Sequence, residues 1–427
     1  MGSYTRMLSI VAVMILLGAG GAYYGKNFRG WGPAVLPPAE DITALVPPSQ
    51  PLPSLSDNEA TVDDAPAPPV NTTDMPLLLP DGFSVSIFAN DLTTPRAMAF
   101  DAQGNLWVSE MNAGAVTMIE IRDGAAQGQA RVFQHLKRPH GLAFDPADPS
   151  MLYVAEEDAI SRTRAGSGGA LEKIIDLPAG GRHFSRTIGF GPDGRLYAAI
   201  GSSCDVCREE DERRAAIYSL QRDGSDFKLF AKGLRNTVFF GWHPVTGALW
   251  GTDMGRDRLG DDLPPDEINI ITEGGNYGWP VCYGKNAHDT AFDANTYIRN
   301  PCMEPFETPS HIDLPAHSAP LGLAFIPAEA GWPQEYAHDL LVAYHGSWNR
   351  STPTGYKVVR IRLSASGDYE GTEDFLIGWL QMAGAPRFAG EAGALGRPVG
   401  LAFDAHGALY ISDDKAGVVY RAHFTPS

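Results

Sequence analysis

The stretch from Gly181 to Ile200, GRHFSRTIGFGPDGRLYAAI, contains the unit that much of the chain repeats. Its second half is an apolar run, a Pro-Asp-Gly turn and an alternating run, which predicts two antiparallel strands joined by a tight turn. The phrase occurs six times in the sequence. The other copies begin at Met98, Leu142, Phe239, Leu323 and Leu401. This repetition predicts an all-β protein built from similar sheets.

The number and spacing of the six copies predict a six-bladed β-propeller. The early copies lie 44 to 46 residues apart, which suits four short strands per blade, and the wider later spacings indicate insertions. Most copies end their first strand with a Phe, namely Phe100, Phe144, Phe190, Phe325 and Phe403. Phe240 or Trp242 takes that place in the fourth copy. An open array of hairpins is disfavoured because it would expose strand edges.

The propeller is predicted to occupy residues 80–427 and to close through its two ends. The segment DGFSVSIFAN, which begins at Asp81, has strand alternation but precedes the first phrase. The last phrase continues to VVYRAHF, close to the end of the sequence. We therefore expect the first strand to complete the last blade, which leaves no free sheet edge.

Residues 1–79 are predicted to lie outside the propeller. Residues 1–30 contain an 18-residue apolar run, Met7 to Tyr24, behind Arg6. As a helix this run is about 27 Å long, borderline for spanning a bilayer, so it is a signal peptide or a signal anchor. Residues 31–79 are Pro-rich and predict a linker. Either fate of residues 7–24 places the propeller in the periplasm or another extracytoplasmic space, free or anchored to the cytoplasmic membrane.

The four cysteines fit an oxidising compartment. Cys204 and Cys207 form CDVC, which suits a small disulfide loop, a metal half-site or a redox pair. No second CxxC completes a zinc site, and Arg208 follows, so the c-type haem attachment motif is absent. We predict the disulfides Cys204–Cys207 and Cys282–Cys302, the second bracketing an inserted loop. Four reduced buried thiols would instead fit a cytosolic protein.

Composition and charge limit the classes of partner. The chain has 427 residues, of which 44% are hydrophobic, so it is long enough for one large core. Its formal net charge of -18 argues against nucleic acid or an anionic membrane surface as a partner. A small-molecule ligand remains compatible with this composition.

Polar and cationic residues recur just before the Phe of each phrase. The innermost strand of a blade begins there, so these side chains should line the central cavity or its mouth. The set comprises Arg96, Arg138, His140, His183, Arg186, Arg235, Asn236, His317 and Arg397. Any one of them is more often a solvated loop residue, but their recurrence at one phase of the repeat indicates a site for an anionic cofactor or substrate.

Several longer motifs resemble one enzyme family. They are LRNTVFF from Leu234, DMGRD from Asp253, DEINIITEGGNYGWP from Asp266 and HFSRTIGFGPDGRLY from His183. With them, the stretch from Pro80 to Phe424 resembles the soluble glucose and sorbosone dehydrogenases that depend on pyrroloquinoline quinone (PQQ), which are six-bladed propellers. The resemblance implies oxidation of a sugar hydroxyl or aldehyde by hydride transfer to PQQ. Electrons would pass to an external acceptor such as a cytochrome or a quinone.

The resemblance also implies roles for individual residues. His183 matches the family's catalytic base, and an imidazole has a pKa suited to taking a proton from a hydroxyl. The main-chain carbonyls of Gly255 and Arg256 stand where the family holds a calcium ion. Contacts to the cofactor or substrate are implied for Arg235, Asn236, His317 and Arg397. Arg182 replaces a family Asp, and a family lysine falls in the altered stretch YHGSWNRSTPTGYK, so the chain is closer to the sorbosone-type branch.

The motif HGSWNR, His345 to Arg350, is a second candidate constellation. Trp348 could stack on a planar ring, Arg350 could pair with a charge, and His345 is the alternative catalytic base. The competing interpretation is an inter-blade loop held by a buried Trp. Both interpretations place the motif at the end of a strand.

Two other classes of function are compatible with a propeller. A calcium-dependent lactonase-type hydrolase would centre on carboxylates and Asn around a metal, whereas the candidates here are mostly Arg and His. A non-catalytic interaction module would need no His183. Binding of PQQ separates these alternatives from a dehydrogenase.

Overall fold

Each copy of the repeated phrase forms the first two strands of its own antiparallel sheet. The computed structural model describes residues 67–166, 168–305, 307–380 and 393–425. Residues 68–426 belong to one structural unit. The segments predicted as a signal or anchor (1–30), and as a linker up to residue 66, lie outside the described residues.

The sheets follow one another along the chain. Two strands precede the first phrase, β1 (Val70–Asn71) and β2 (Phe83–Ala89). Blade 1 contains β3 (Pro95–Phe100), β4 (Leu106–Glu110), β5 (Ala115–Arg122) and β6 (Ala125–Phe133). Blade 2 contains β7 (Gly141–Asp145), β8 (Asp148–Ala155), β9 (Ala159–Arg164) and β10 (Glu172–Asp176). Blade 3 contains β11 (Arg186–Phe190), β12 (Leu196–Ile200), β13 (Ala216–Leu220) and β14 (Lys228–Lys232).

The later blades carry the insertions. Blade 4 contains β15 (Thr237–Trp242), β16 (Leu249–Asp253), β17 (Asp266–Ile271) and β20 (Ile312–Leu314), with the hairpin β18 (Cys282–Tyr283) and β19 (Ala287–His288) inserted before β20. Blade 5 contains β21 (Pro320–Phe325), β22 (Leu340–Tyr344), β23 (Lys357–Leu363) and β24 (Tyr369–Leu376), with a short 3₁₀ helix at Gln334–Tyr336. Blade 6 begins with β25 (Pro398–Phe403), β26 (Leu409–Asp413) and β27 (Val418–Phe424).

The first strands of the six blades form the inner wall of a closed ring. Strand β3 packs beside β7, and the ring continues through β11, β15, β21 and β25 back to β3. The predicted six-bladed propeller is therefore confirmed.

The last blade is completed by the start of the propeller segment, as predicted. Its strand order is β1-β2-β27-β26-β25, and Phe83 in β2 pairs with Phe424 in β27. Residues 70–79, which the sequence assigned to the linker, pack against the ring in the structure. Leu77 and Leu79 are buried in the core, and Leu78 forms an isolated bridge to Ile377.

The Phe of each phrase packs against an aromatic ring of the preceding blade. Every such pair is edge-to-face, an arrangement that favours aromatic packing beyond the buried area alone. The pairs are Phe100–Tyr410, Phe144–Trp107, Phe190–Tyr153, Trp242–Tyr197, Phe325–Trp250 and Phe403–Trp332. The repeated phrase thus encodes the contacts between blades, and in blade 4 Trp242 takes the position of the Phe.

Both predicted disulfides are present, Cys204–Cys207 in the loop after β12 and Cys282–Cys302 around the blade 4 insertion. Their presence removes the alternative of reduced thiols. Among the described residues, no helix has the length and apolar character needed to cross a membrane.

Candidate active site

The ends of two strands in each blade meet at one end of the propeller axis. The first and second strands are antiparallel, so the start of the first lies beside the end of the second. The register shows this in Arg186↔Ile200 and Pro398↔Asp413. Side chains before each phrase therefore gather with side chains that follow each second strand.

Two adjoining cavities open at this end of the axis. The first has a volume of about 430 Å³ and the second about 220 Å³. They share Arg182, His183 and Met254, so His183 stands where they join. The first cavity is also lined by Arg96, Asn236, His345, Arg397, Asp414 and Lys415. The second is also lined by Arg235, Gly255, Asp257, Asp266, His317 and Trp348.

The hydrogen bonds of His183 fix its tautomer. Nδ1 lies 3.0 Å from the carbonyl oxygen of Ser202 and 2.8 Å from its Oγ. The Ser202 hydroxyl donates its single proton to the carbonyl of Cys204 at 2.8 Å. Both partners of Nδ1 are therefore acceptors, and Nδ1 must carry the ring proton. The lone pair of the neutral imidazole is thus on Nε2, where a proton can be accepted.

His183 is neutral at physiological pH. Burial, and then the positive charges of Arg235 and Arg182, lower the pKa of His183 to about 3. The sequence predicts a base with a pKa near neutrality. Burial and the surrounding cations instead give this imidazole a much lower pKa. An anion bound between the same arginines would oppose their effect and raise this pKa.

Arg235 and Asn236 enter from the start of blade 4. The guanidinium of Arg235 donates to the carbonyl and carboxylate of Asp205 at 2.9 and 2.8 Å, and to the carbonyl of Met254 at 3.1 Å. Gly201 lets Asn236 approach His183, because a Cβ at position 201 would lie 2.6 Å from Asn236 Oδ1 and 2.7 Å from His183 Cβ. A glycine at this position is therefore a requirement of the site.

Arg397 and His345 lie together in the wall of the first cavity. Arg397 donates to the carbonyls of His345 and Gly346 at 3.0 and 2.6 Å, so it braces the loop that carries His345. His345 Nε2 lies 2.9 Å from Asp414, whose other oxygen accepts from Arg96 at 2.7 Å. Burial lowers the pKa of His345, although Asp414 opposes this effect.

Asp414 is a site residue that the sequence did not single out. Burial raises the pKa of its carboxyl, but the hydrogen bonds from His345 and Arg96 and the charge of Arg96 outweigh burial and hold this pKa far below the usual range. The repeat does mark the position of Asp414, but just after the second strand of a phrase and not just before the first. The recurring set consists of residues that precede each phrase, whereas Ser202 and Asp414 follow the second strands that end at Ile200 and Asp413. His345, which the HGSWNR motif identified, likewise follows the second strand that ends at Tyr344.

The residues expected to hold calcium lie beside a buried carboxylate. Gly255 lines the second cavity, and its N–H donates to Asp266 at 2.9 Å. Asp266 also accepts from the N–H of Ala319 at 2.9 Å. Within the described part of the chain, the carbonyl oxygens of Gly255 and Arg256 accept no hydrogen bond. Burial raises the pKa of Asp266 to about 6, so a cation nearby would be electrostatically favoured.

The second cavity also includes His317 and Trp348. His317 is held by a 2.8 Å contact from Nε2 to the carbonyl of Gly260. Trp348 is 56% exposed, so the interpretation of HGSWNR as a loop held by a buried Trp is wrong. Arg350 pairs with Asp262 and donates to the carbonyl of Asp261, and so anchors the loop outside the cavity walls.

Three further candidates do not line these two cavities. Arg138 pairs with Glu157 at 3.4 Å and lies over the ring of Phe184, which lines the first cavity. His140 is fully buried and packs against Phe239. The side chain of Arg256 pairs with Asp289. Arg138 and His140 are absent from the lining of either described cavity.

A family model described as TrAA12-like matches residues 77–423. The chain belongs to the TrAA12-like family. An uncharacterized protein of Borreliella burgdorferi is 30% identical over 367 residues, which cover 82% of this chain and 91% of that protein. The family match confirms the resemblance to PQQ-dependent sugar dehydrogenases that the motifs indicated.

Named relatives of this TrAA12-like chain include fungal enzymes. The pyrroloquinoline quinone-dependent pyranose dehydrogenase of Coprinopsis cinerea is 26% identical over 397 residues, which cover 80% of this chain. The match spans about half of that enzyme, 53% of its length. The structure of its PQQ domain in the holo form has a TM-score of 0.69 at 22% identity and covers 83% of this chain. A calcium structure of a Trichoderma reesei AA12 enzyme has a TM-score of 0.70 at 20% identity, with 83% coverage of this chain and 100% of that one.

Proposed function

We propose that this chain is a PQQ- and calcium-dependent dehydrogenase that oxidises a sugar at a hydroxyl or aldehyde group. The observation that carries the proposal is the position of His183, a neutral imidazole with its lone pair on Nε2, between two cavities lined by cationic side chains. Such a base beside bound anionic groups is the arrangement that hydroxyl oxidation requires.

The first cavity fits the size and charge of PQQ, which is a planar quinone with three carboxylates. Its volume of about 430 Å³ falls in the range of about 300–1,000 Å³ that is usual for small-molecule sites. Its wall presents Arg96, Arg397 and Lys415, and its carboxylate, Asp414, is already paired with Arg96 and His345. This donor set favours a polyanionic ligand and disfavours a hydrolase that relies on open carboxylates around a metal.

The chemistry divides between the cofactor and the chain. When bound, PQQ supplies an electrophilic carbonyl that takes the hydride from the sugar carbon. His183 Nε2 accepts the proton of the sugar hydroxyl, and Ser202 keeps the ring in the productive tautomer. Arg235 in the second cavity and Asn236 in the first orient the bound ligand, and the positive charge of Arg235 favours an anionic group of that ligand. A base of this kind contributes about 10² to 10⁴ in rate.

Calcium would be held by the carbonyls of Gly255 and Arg256. Carbonyl oxygens are hard ligands suited to Ca²⁺, and the nearby Asp266 contributes negative charge. The ion would increase the electrophilicity of a carbonyl placed against it. His317 and the exposed ring of Trp348 would flank the ligand on the second cavity's side.

We place the reaction outside the cytoplasmic membrane, since two disulfides are typical of oxidising compartments. Electrons would leave to an external acceptor such as a cytochrome or a quinone. The substrate would be an aldose or a sorbosone-like sugar aldehyde, the second favoured because Arg182 replaces the Asp of the glucose-type branch.

Reconstitution tests the proposal. PQQ and CaCl₂ are added to the purified protein, and binding is followed by the quinone absorption spectrum. Reduction of an artificial electron-acceptor dye is then measured with aldoses and with sorbosone. We expect binding, sugar-dependent dye reduction, and loss of both when a calcium chelator is present from the start.

Absence of PQQ binding under these conditions would overturn the proposal and favour the interaction module. Binding without oxidation of any sugar would retain the cofactor site and refute the substrate class. Hydrolysis of lactones without PQQ would favour the hydrolase.

A further inference from the structure

The CDVC motif has no role in the proposed mechanism, yet its loop contacts the two central residues of the site. The loop follows β12 and is closed by the Cys204–Cys207 disulfide. We propose that this disulfide loop positions the active site, by holding the Ser202 hydroxyl against the ring of His183 and by setting the orientation of Arg235. The inference rests on the proposed function only for the role of His183 as a base. The contacts of the loop with His183 and Arg235 do not depend on a bound cofactor.

The first link runs from the disulfide loop to the base. The Ser202 hydroxyl donates to the carbonyl of Cys204 at 2.8 Å, so its lone pairs face His183 Nδ1. The main-chain carbonyl of Ser202, 3.0 Å from Nδ1, holds the ring proton on Nδ1 in either case. If the Cys204 carbonyl moved away, the Ser202 hydroxyl would lose its acceptor, and the second contact that holds the imidazole in place would be lost.

The second link runs from the disulfide loop to the cofactor arginine. Asp205 lies between the two bonded cysteines, and its carbonyl and carboxylate both accept from Arg235. The same carboxylate accepts from the N–H of Asp257 at 2.9 Å, and Asp257 pairs with Arg182. One four-residue ring therefore orients both arginines that flank His183.

The outer side of the loop is held by polar contacts. Ser203 donates from its N–H and its hydroxyl to Glu209, both at 2.7 Å, and its carbonyl accepts from the N–H of Arg182 at 2.7 Å. Cys204 and Cys207 are partly exposed and belong to no described apolar core cluster. Loss of their bond should therefore alter the site more than the fold.

The experiment measures the hydrogen bonding of the His183 ring directly. The ring ¹⁵N shifts of His183 are recorded in cofactor-free protein and assigned by their absence in His183→Gln. The wild-type chain should show one tautomer, with the proton on Nδ1. The double variant Cys204→Ser/Cys207→Ser should keep the proton on Nδ1 but show a changed Nδ1 shift, because the Ser202 hydroxyl no longer faces that nitrogen, whereas Cys282→Ser/Cys302→Ser, the matched control, should keep the wild-type shifts.

A second variant tests the inference if the double cysteine variant does not fold. Ser202→Ala keeps both disulfides and removes the hydroxyl that faces Nδ1, so it should also alter the shifts of His183. Ser225→Ala, which removes an exposed hydroxyl in the turn between β13 and β14, should leave them unchanged. In the reconstituted enzyme, the cysteine and Ser202 variants should lower kcat by up to about 10²-fold, the lower end of what such a base contributes.

Wild-type ¹⁵N shifts of His183 in both the Cys204→Ser/Cys207→Ser and Ser202→Ala variants would overturn the inference. Because this measurement uses cofactor-free protein, its outcome is independent of PQQ binding. Failure of the proposed function would appear separately, as absence of binding by the wild-type chain.

Discussion

Ser202 Oγ lies 2.8 Å from His183 Nδ1 and donates its own proton elsewhere, to the carbonyl of Cys204. The hydroxyl and the main-chain carbonyl of Ser202 are thus both acceptors for the imidazole, and they leave Nε2 as the nitrogen that can act as a base. A second histidine, His345, bonds to Asp414 through Nε2 and lies in the wall of the same cavity. The Nε2 atom of His183 is therefore free to accept a proton, whereas the Nε2 atom of His345 is already bonded to Asp414.

Substitution of the two histidines should separate their roles. His183→Ala should reduce kcat by about 10²-fold or more while PQQ still binds, because a base acts in the transition state. His345→Ala should mainly weaken PQQ binding, since it removes the partner of Asp414 and loosens the loop braced by Arg397. Steady-state kinetics with sugar and dye, together with a PQQ titration, measure both effects. Full turnover of His183→Ala with inactive His345→Ala would transfer the base assignment to His345.

Gly201 should tolerate no side chain. In Gly201→Ala the new Cβ would press on Asn236 and His183, and a displacement of about 1 Å in a catalytic group can cost about 10²-fold in rate. We expect kcat to fall by tenfold or more. Gly128→Ala is the matched control, because a Cβ there meets nothing within 4 Å. Equal kcat in the two variants would contradict the close approach at Gly201.

The carboxyl of Asp413 should make the propeller less stable as pH rises. Burial raises the pKa of Asp413 from 3.8 to about 6, so between these values the folded state binds more protons than the unfolded state. Its favourable contribution is present below pH 3.8 and is lost as pH rises toward 6. Asp413→Asn should remove this loss, so its Tm relative to the wild type should be higher at about pH 7 than at about pH 4. Thermal unfolding of cofactor-free protein at both pH values measures the effect, and a pH-independent difference in Tm would refute it.

The segment before β2 should stabilise the ring. Leu77 is 2% exposed and packs in the largest core cluster, whereas its neighbour Leu78 is 60% exposed. Leu77→Ala should lower the free energy of unfolding by about 2–5 kcal/mol, and Leu78→Ala should change it by about 0.5 kcal/mol or less. Urea unfolding of both variants measures the difference. Similar values for the two would show that residues 70–79 act as a linker after all.

The sequence by itself determined the fold because the repeat is local. Each phrase carries its own turn, its alternating strand and its Phe, and six copies leave a closed ring as the arrangement that buries every blade. The pairing of cysteines with their sequence neighbours was also local. His183, Arg235, Asn236 and Arg397 could be selected because they recur at one phase of the repeat.

The tertiary structure alone decided how these residues act. Asp414 belongs to blade 6 and His345 to blade 5, so their contact joins positions 69 residues apart that no local pattern relates. The pKa of His183 depends on burial and on arginines from different segments, which composition does not reveal. The tautomer of His183 likewise depends on the main-chain carbonyl of Ser202, because the direction of a hydrogen bond is set by where the folded chain places its acceptors.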